Sequence, residues 1–192
     1  MIDIRQLIWG FEGSFENGPL TLSCDVGIHH LQGANGSGKT TLFRVLCNEI
    51  MPLSGSFSIA GHSRGIELRK RVSFVPASPD IPGFLTAGQA VAFVAGLREV
   101  RSWPAKDLAD ELGISLNQTM ATASSGQARK IQLLSSLAGE PPVLLLDETF
   151  AHLDTQSAAV LVRWLEKRRS SHCIVISGHG DLPITPDTKV AV

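Results

Sequence analysis

The stretch Gly33-Ala34-Asn35-Gly36-Ser37-Gly38-Lys39-Thr40 constrains this chain more than any other. It fits G-x-x-x-x-G-K-[ST], a loop whose glycines let successive backbone N–H groups turn inward around phosphate oxygens. On that reading Lys39 reaches the β- and γ-phosphates and the Thr40 hydroxyl faces Mg²⁺. The helix that starts here points the positive end of its dipole at the anion. The flanks supply the context the motif requires. Ile28 to Leu31 reads as a short buried strand, and Leu42, Val45 and Leu46 have helical spacing behind the loop. Strand, loop and helix in that order describe a nucleoside triphosphate site better than a glycine-rich surface turn.

At 192 residues the chain can bury one sizeable core, and we read 1–192 as a single domain with a helical lobe at approximately 84–138. A formal net charge of −1 supplies no strong positive field, so no nucleic acid is expected as a partner. The basic cluster Lys167-Arg168-Arg169 reads as the solvated, dipole-favoured end of a helix. Cys24, Cys47 and Cys173 are odd in number and widely spaced, which argues against a disulfide framework or zinc site and suits a reducing cytosol. Met1 to Arg5 carries charge where a signal peptide needs an apolar core, so no targeting segment is expected. The uncharged run Ile81 to Leu97 is too short and too interrupted by Pro82, Gly83 and Gly88 to span a bilayer. Work at a membrane would need another subunit to cross it.

Along the chain, Ile2 to Trp9 and Leu20 to Val26 alternate as antiparallel strands joined through a turn region at Gly10 to Pro19. Trp9 reads as core. Phe11 is open between core packing and stacking on a purine. Ser56 to Ile59 is strand-like, His62 to Gly65 a polar turn, and Arg69-Lys70-Arg71 leads into the strand Val72 to Val75, which Pro76 stops. Ala77 to Leu85 reads as a loop. Thr86-Ala87-Gly88-Gln89 has the form of a capping box, with Ala90, Phe93, Val94 and Leu97 as a helical stripe behind it. A second helix opens at Ser102 and Pro104 and closes at Leu112 before Gly113. Thr122 to Gln127 reads as the polar cap of a helix continuing through Ile131, Leu134 and Leu137.

Val143 to Leu146 is a continuous apolar run, the mark of a strand buried on both faces, and Asp147-Glu148 ends it where parallel sheets place their ligand crevices. Two adjacent carboxylates there repel and lose solvation, a cost of about a few kcal/mol unless a cation or proton compensates. Mg²⁺ near Thr40 would supply that compensation. After Leu153-Asp154, Thr155 caps a further helix with Ala158, Leu161, Val162 and Leu165 on one side. Cys173 to Ile176 is another buried strand, with His179 at its C-terminal edge in Ser177-Gly178-His179-Gly180, placed to sense phosphate. Of His29 and His30, alternation should turn only one toward the core, and both are read as structural. His62, His152 and His172 lack partners at metal-ligand spacing, and no transition-metal site is expected.

Taken in order, these motifs resemble the nucleotide-binding subunit of ATP-binding cassette (ABC) transporters. Ala123-Ser124-Ser125-Gly126-Gln127 stands in the place of the family signature LSGGQ, Leu153-Asp154 in that of the D-loop, and His179 in that of the switch histidine. The resemblance implies an α/β fold: a P-loop NTPase of ABC-ATPase type, with a mostly parallel core sheet, an N-terminal antiparallel β subdomain and a small inserted helical subdomain. It implies ATP and Mg²⁺ as cofactors, and a head-to-tail dimer, homo- or heteromeric, with ATP sandwiched between the phosphate loop of one subunit and the signature of the other. Gly33, Asn35, Gly36, Ser37, Gly38, Lys39, Thr40 and Thr41 would bind the triphosphate and its metal, with Asp154 close by. Ser124, Gly126 and Gln127 would reach the partner's γ-phosphate. Asp147 would hold Mg²⁺ through water, Glu148 would polarise the attacking water, His179 would contact the γ-phosphate, and Phe11 would stack on adenine. A transmembrane permease, with this subunit on the cytoplasmic face, completes the implied assembly.

Three departures from the family pattern stand out. Ala77 replaces the glutamine that usually follows the strand-ending proline and touches both metal and membrane partner. Ala123 and Ser125 alter the signature, and Thr149 stands where proline commonly follows the acidic pair. The short tail after His179 is similar to that of haem-exporter ATPases of cytochrome c maturation. Ala77 also motivates an alternative: a nucleotide-gated regulatory or assembly subunit with weak hydrolysis.

Overall fold

The computed structural model describes residues 1–100 and 103–192. Two sheets organise them. Strands β1 (Ile2–Phe11), β2 (Phe15–Cys24) and β4 (Ser54–Ile59) form an antiparallel sheet with β1 in the middle. Strands β3 (Gly27–Gln32), β5 (Val72–Val75), β6 (Val143–Asp147), β7 (Cys173–Gly178) and β8 (Thr188–Ala191) form a parallel sheet in the order β5-β6-β7-β3-β8. The fold is thus the expected α/β arrangement, with the antiparallel sheet at the N-terminal side.

Burial follows the apolar pattern. All five residues of β6 are buried, and the side-chain period of two sends them to different layers. Val143 and Leu145 join Trp9, Phe43 and Leu68 in a core between the two sheets. Leu144 and Leu146 join Ile131, Leu161 and Ile174 in a core under the helices on the opposite face. The same two-sided burial takes in both His29 and His30, because β3 lies inside the sheet and has no solvent face. His29 bonds the Thr188 hydroxyl and the Asp25 carbonyl. His30 has neither ring nitrogen paired, and burial lowers its pKa, so it sits neutral.

Helices α1 (Lys39–Leu46), α2 (Gly65–Arg71), α3 (Ala87–Leu97), α4 (Ala105–Leu112), α5 (Ser125–Ser136) and α6 (Thr155–Glu166) fill the connections. The capping box expected at Thr86/Gln89 is formed, and the polar cap expected within Thr122 to Gln127 closes as a second box between Ser124 and Gln127, each with two reciprocal hydrogen bonds. Helix α4 ends at Gly113 in the left-handed conformation. Pro104 sits at its start, and the opening expected at Ser102 lies outside the described residues.

Several expectations fail for physical reasons. Gly10 to Pro19 is not a turn region: β1 and β2 pair through it, Trp9 opposite Asn17 and Phe11 opposite Phe15, and only three residues make the turn. Gly65 to Arg71 is a helix whose one buried residue, Leu68, gives no apolar period to read. Asp154, not Thr155, caps α6, accepting the Ser157 N–H. Lys167-Arg168-Arg169 is more than a solvated helix end. The Arg168 guanidinium stacks on the Trp164 ring and pairs with Glu140, while Arg169 bridges Glu166 and Asp187. On α3 the buried face is Ala87, Ala90, Val91 and Ala95, so Phe93 and Leu97, expected inward, are 63% and 55% exposed.

Candidate functional site

Parallel pairing brings the C-terminal ends of β3, β6 and β7 to one edge of the sheet, where such sheets form their ligand crevices. The phosphate loop leaves β3, Asp147 ends β6, and His179 follows β7. At the loop's entrance, a Cβ on Gly33 would lie 2.4 Å from both the Ser37 hydroxyl and the Val192 carbonyl, so no larger residue fits. Gly38 has φ +85°, and a Cβ there would come within 2.7 Å of the Phe15 ring. Glycine is thus required twice in the loop, once for contact and once for both contact and conformation.

Lys39 opens α1 and is 5% exposed, and its ammonium donates to the carbonyls of Gly33 and Ala34 at 2.8 Å each. The cation is held inside the loop by neutral acceptors, where an incoming phosphate would meet it. Thr40 donates its hydroxyl to Asp147 Oδ2 at 2.6 Å, and Ser177 donates to Asp147 Oδ1 at 2.5 Å. Asp147 is 1% exposed, a buried carboxylate satisfied by two hydroxyls. Among the described residues, no cluster of three or more His, Cys, Asp or Glu side chains is placed to hold a metal by itself. One carboxylate and one hydroxyl, completed by phosphate oxygens and water, is the donor set that suits Mg²⁺. The residues present fit that ion.

Glu148 follows with φ +45°, a left-handed conformation rare outside glycine. Its N–H donates to Ser177 Oγ at 3.0 Å, so one serine fixes both acids. The Glu148 carboxylate lies 3.3 Å from His179 Nε2, and the same ring nitrogen contacts Asn35 Oδ1. Asn35, Glu148 and His179 are thereby gathered over the loop. Asp154 pairs with Lys130 at 2.8 Å, and that contact, followed by two from Ser157, lowers its pKa well below the ordinary carboxylate value. Phe11 stands 54% exposed at the end of β1, beyond the core and beside the loop-contacting Phe15.

Ser124, Ser125 and Gly126 are exposed, and the bonds of Ser124 and Gln127 are those of their own capping box. Ser125 and Gly126, in the first turn of α5, are therefore left open to solvent.

Two contributors carried no readable motif. Ser177 was visible only as a neighbour of His179. Arg129 is 3% exposed and donates to the carbonyls of Pro76 and Asp147, tying the ends of β5 and β6 to the helix behind the signature-like stretch. Burial pulls its pKa down and the Asp147 charge opposes that. An arginine two positions past Gln127 reads as a surface residue until the sheet is assembled over it.

Residues 20–151 match the family model described as ABC transporter. The chain belongs to that family. It is an ATP-binding cassette, and the family's common activity is ATP hydrolysis coupled to transport. The chain is 31% identical over 159 residues to the retinal-specific phospholipid-transporting ATPase ABCA4 of Mus musculus, covering 78% of this chain and 7% of that protein. It is 30% identical over 145 residues to the molybdate/tungstate import ATP-binding protein WtpC of Pyrococcus horikoshii, covering 71% of this chain and 42% of that one. The chain thus spans less than half the length of either relative. Among solved structures, an ATP-binding subunit of an ABC transporter superposes with TM-score 0.86 at 22% identity, over 93% of this chain and 79% of that one. A dimeric post-hydrolysis state of the cassette MJ0796, bound to ADP and Pi, superposes with TM-score 0.78 at 18% identity, over 94% and 88%. At such identities these structures speak for the cassette fold.

Proposed function

We propose that this cassette binds ATP between two subunits, hydrolyses it, and so drives a separate membrane permease. The observation that carries the reading is the meeting of Lys39, Thr40, Asp147, Glu148 and His179 at one sheet edge, drawn from three separate segments of the chain. Lys39 exchanges the loop carbonyls for the β- and γ-phosphates. Glu148 orients a water and takes its proton as the water oxygen attacks the γ-phosphorus and the bond to the bridging β-oxygen breaks. His179 keeps Glu148 and the γ-phosphate in register. Mg²⁺, held by Thr40 and, through water, by Asp147, would neutralise phosphate charge. Positioning and charge neutralisation supply most of the rate in such transfers.

The exposed signature-like stretch completes the site only in a second copy or a related cassette. The MJ0796 dimer supports this, as does the fact that Ser124 to Gly126 face solvent in one chain. Residues 84–138 act as the lobe that carries this stretch. Docking on a permease is supported by the outward large residues of α3 and the loop before it: Phe93 and Leu97 of the helix are 63% and 55% exposed, and Phe84 ahead of it is 80% exposed. Leu97 also lines a cleft of about 420 Å³ together with Arg44, Arg69, Phe74, Pro76 and Arg98. Among the described residues no helix is long and apolar enough to cross a membrane, so the spans would belong to the partner. We place the subunit on the cytoplasmic membrane face because it belongs to the ABC transporter family, whose cassettes draw on ATP beside a membrane partner. None of the relatives named above is described as a haem exporter, and the short tail favours no cargo.

The test is steady-state turnover. Purified chain should hydrolyse MgATP, and Glu148→Gln should lower the rate by roughly 100-fold or more while retaining ATP binding. Absence of ATP binding by the wild type would end the proposal. Ala77 favours one second reading, since its methyl offers no oxygen where the family has an amide. ATP binding without measurable turnover, even with permease present, would select the regulatory reading.

A further inference from the structure

The antiparallel hairpin β1–β2 does more than abut the nucleotide site. Directly opposed residues project on one face of a sheet, so the pairs Trp9–Asn17 and Phe11–Phe15 share a face, and that face meets the phosphate loop. Trp9, 1% exposed, donates its indole Nε1–H to the Gly38 carbonyl at 3.0 Å. Asn17 donates its Nδ2–H to the Ser37 carbonyl at 2.5 Å. The Asn17 Oδ1 accepts the Gly18 N–H at 2.9 Å, which settles which end of the amide faces the loop. The Phe15 ring closes against Gly38 from the same side.

These bonds fall on two consecutive peptide planes. In a trans peptide the C=O and the following N–H point in opposite directions. A carbonyl held toward the hairpin therefore turns its partner N–H away from it. The Ser37 carbonyl shares its plane with the Gly38 N–H, and the Gly38 carbonyl shares its plane with the Lys39 N–H. Leu42 N–H also reaches the Gly38 carbonyl, at 2.8 Å, so the second plane is clamped by the helix and the indole together. The Ser37 plane lies ahead of α1, and its clamp is the Asn17 side chain.

We propose that Trp9 and Asn17 are positioning residues for the triphosphate, holding two planes of the loop so that the Gly38 and Lys39 amides face the phosphates before nucleotide arrives. The inference rests on the ATP-binding reading above and assigns Trp9 and Asn17 a task distinct from any stacking of Phe11 on the base. Its prediction is specific to phosphate: affinity for inorganic tripolyphosphate should suffer as much as affinity for ATP, because neither bond touches the base.

The experiment compares wild type, Trp9→Phe and Asn17→Ala by titration with ATP and with inorganic tripolyphosphate, alongside unliganded melting curves. Trp9→Phe keeps a buried ring and loses the donor. Asn17 is only part-buried, so Asn17→Ala tests the claim even where the tryptophan change unsettles the core. Loss of one such bond should raise both dissociation constants about 3- to 10-fold, with the Asn17→Ala melting temperature near that of wild type. An Asn17→Ala protein that binds both compounds as tightly as wild type overturns the proposal. So does one that loses affinity for ATP but not for tripolyphosphate, which would place the effect at the base. A wild type that binds neither compound removes the nucleotide reading, and the proposal with it.

Discussion

At the scale of single residues, the site is built from charges held by neutral groups: Lys39 by two carbonyls, Asp147 by two hydroxyls, Arg129 by the carbonyls of Pro76 and Asp147. These contacts serve either a later partner or the fold itself, and substitution separates the two cases. Arg129→Met strands two carbonyls away from water, at about 3 kcal/mol in total, and should lower Tm by roughly 6 to 12 °C before any nucleotide is added. Lys39→Ala leaves the fold nearly unchanged by the same melting measurement, because its acceptors lie in a loop open to solvent, and instead abolishes ATP binding. Gly38→Ala must fail in both respects. Its methyl would sit 2.7 Å from the Phe15 ring at φ +85°, so both a lower Tm and weaker ATP binding are expected. Residues of this kind differ in how far the sequence announced them. Lys39, Thr40, Asp147 and Glu148 stand in motifs whose spacing is tied to phosphate geometry. Arg129, Ser177 and Trp9 do their work through contacts between segments far apart in the chain, which no local pattern encodes.

At the scale of elements, helix α3 shows how a period can be read correctly and its face wrongly. Ala90 and Val94 of the expected stripe do pack inward, but small residues on the neighbouring face allow closer approach to α5, and Ala87, Val91 and Ala95 are buried where Phe93 and Leu97 were expected. The large residues left outside are then the ones available to a partner. Phe93→Ser with Leu97→Ser should change Tm by about 1 kcal/mol equivalent or less and leave ATP hydrolysis by the isolated chain intact, while binding to the permease is lost in a pull-down. Helix α6 carries a pH dependence of known sign. The folded state depresses the Asp154 pKa, first through Lys130 and then through Ser157. Its contribution is therefore complete above the ordinary carboxylate pKa of about 4 and fades as pH falls toward the depressed value. Melting curves of wild type and Asp154→Ala should differ at pH 7 and converge as pH is lowered below about 4. Strands were the most legible elements: β5 was found to the residue and β6 to within one, because continuous apolar runs have one solution inside a parallel sheet. Helix α2 was not legible, having a single buried residue over seven.

At the scale of the whole molecule, one chain gathers the phosphate loop, Asp147, Glu148 and His179 at the sheet edge and, at the start of α5, leaves Ser124, Ser125 and Gly126 exposed. The parallel sheet explains the first, since it gathers the ends of β3, β6 and β7. On the proposed reading, association with a second cassette accounts for the second. The order of motifs along the sequence was enough to name this architecture, whereas the burial of both β3 histidines and the extended β1–β2 hairpin needed the assembled sheets. The account's central claim is that each chain holds half of a site, and it is tested most directly by the molar mass of Glu148→Gln in solution with and without saturating ATP. It predicts a monomer without nucleotide and a dimer retaining two ATP molecules when nucleotide is present, with Ser124→Arg in the same background abolishing the dimer but not ATP binding to the monomer. A Glu148→Gln protein that binds ATP and stays monomeric, or one whose dimer is indifferent to Ser124→Arg, would contradict it.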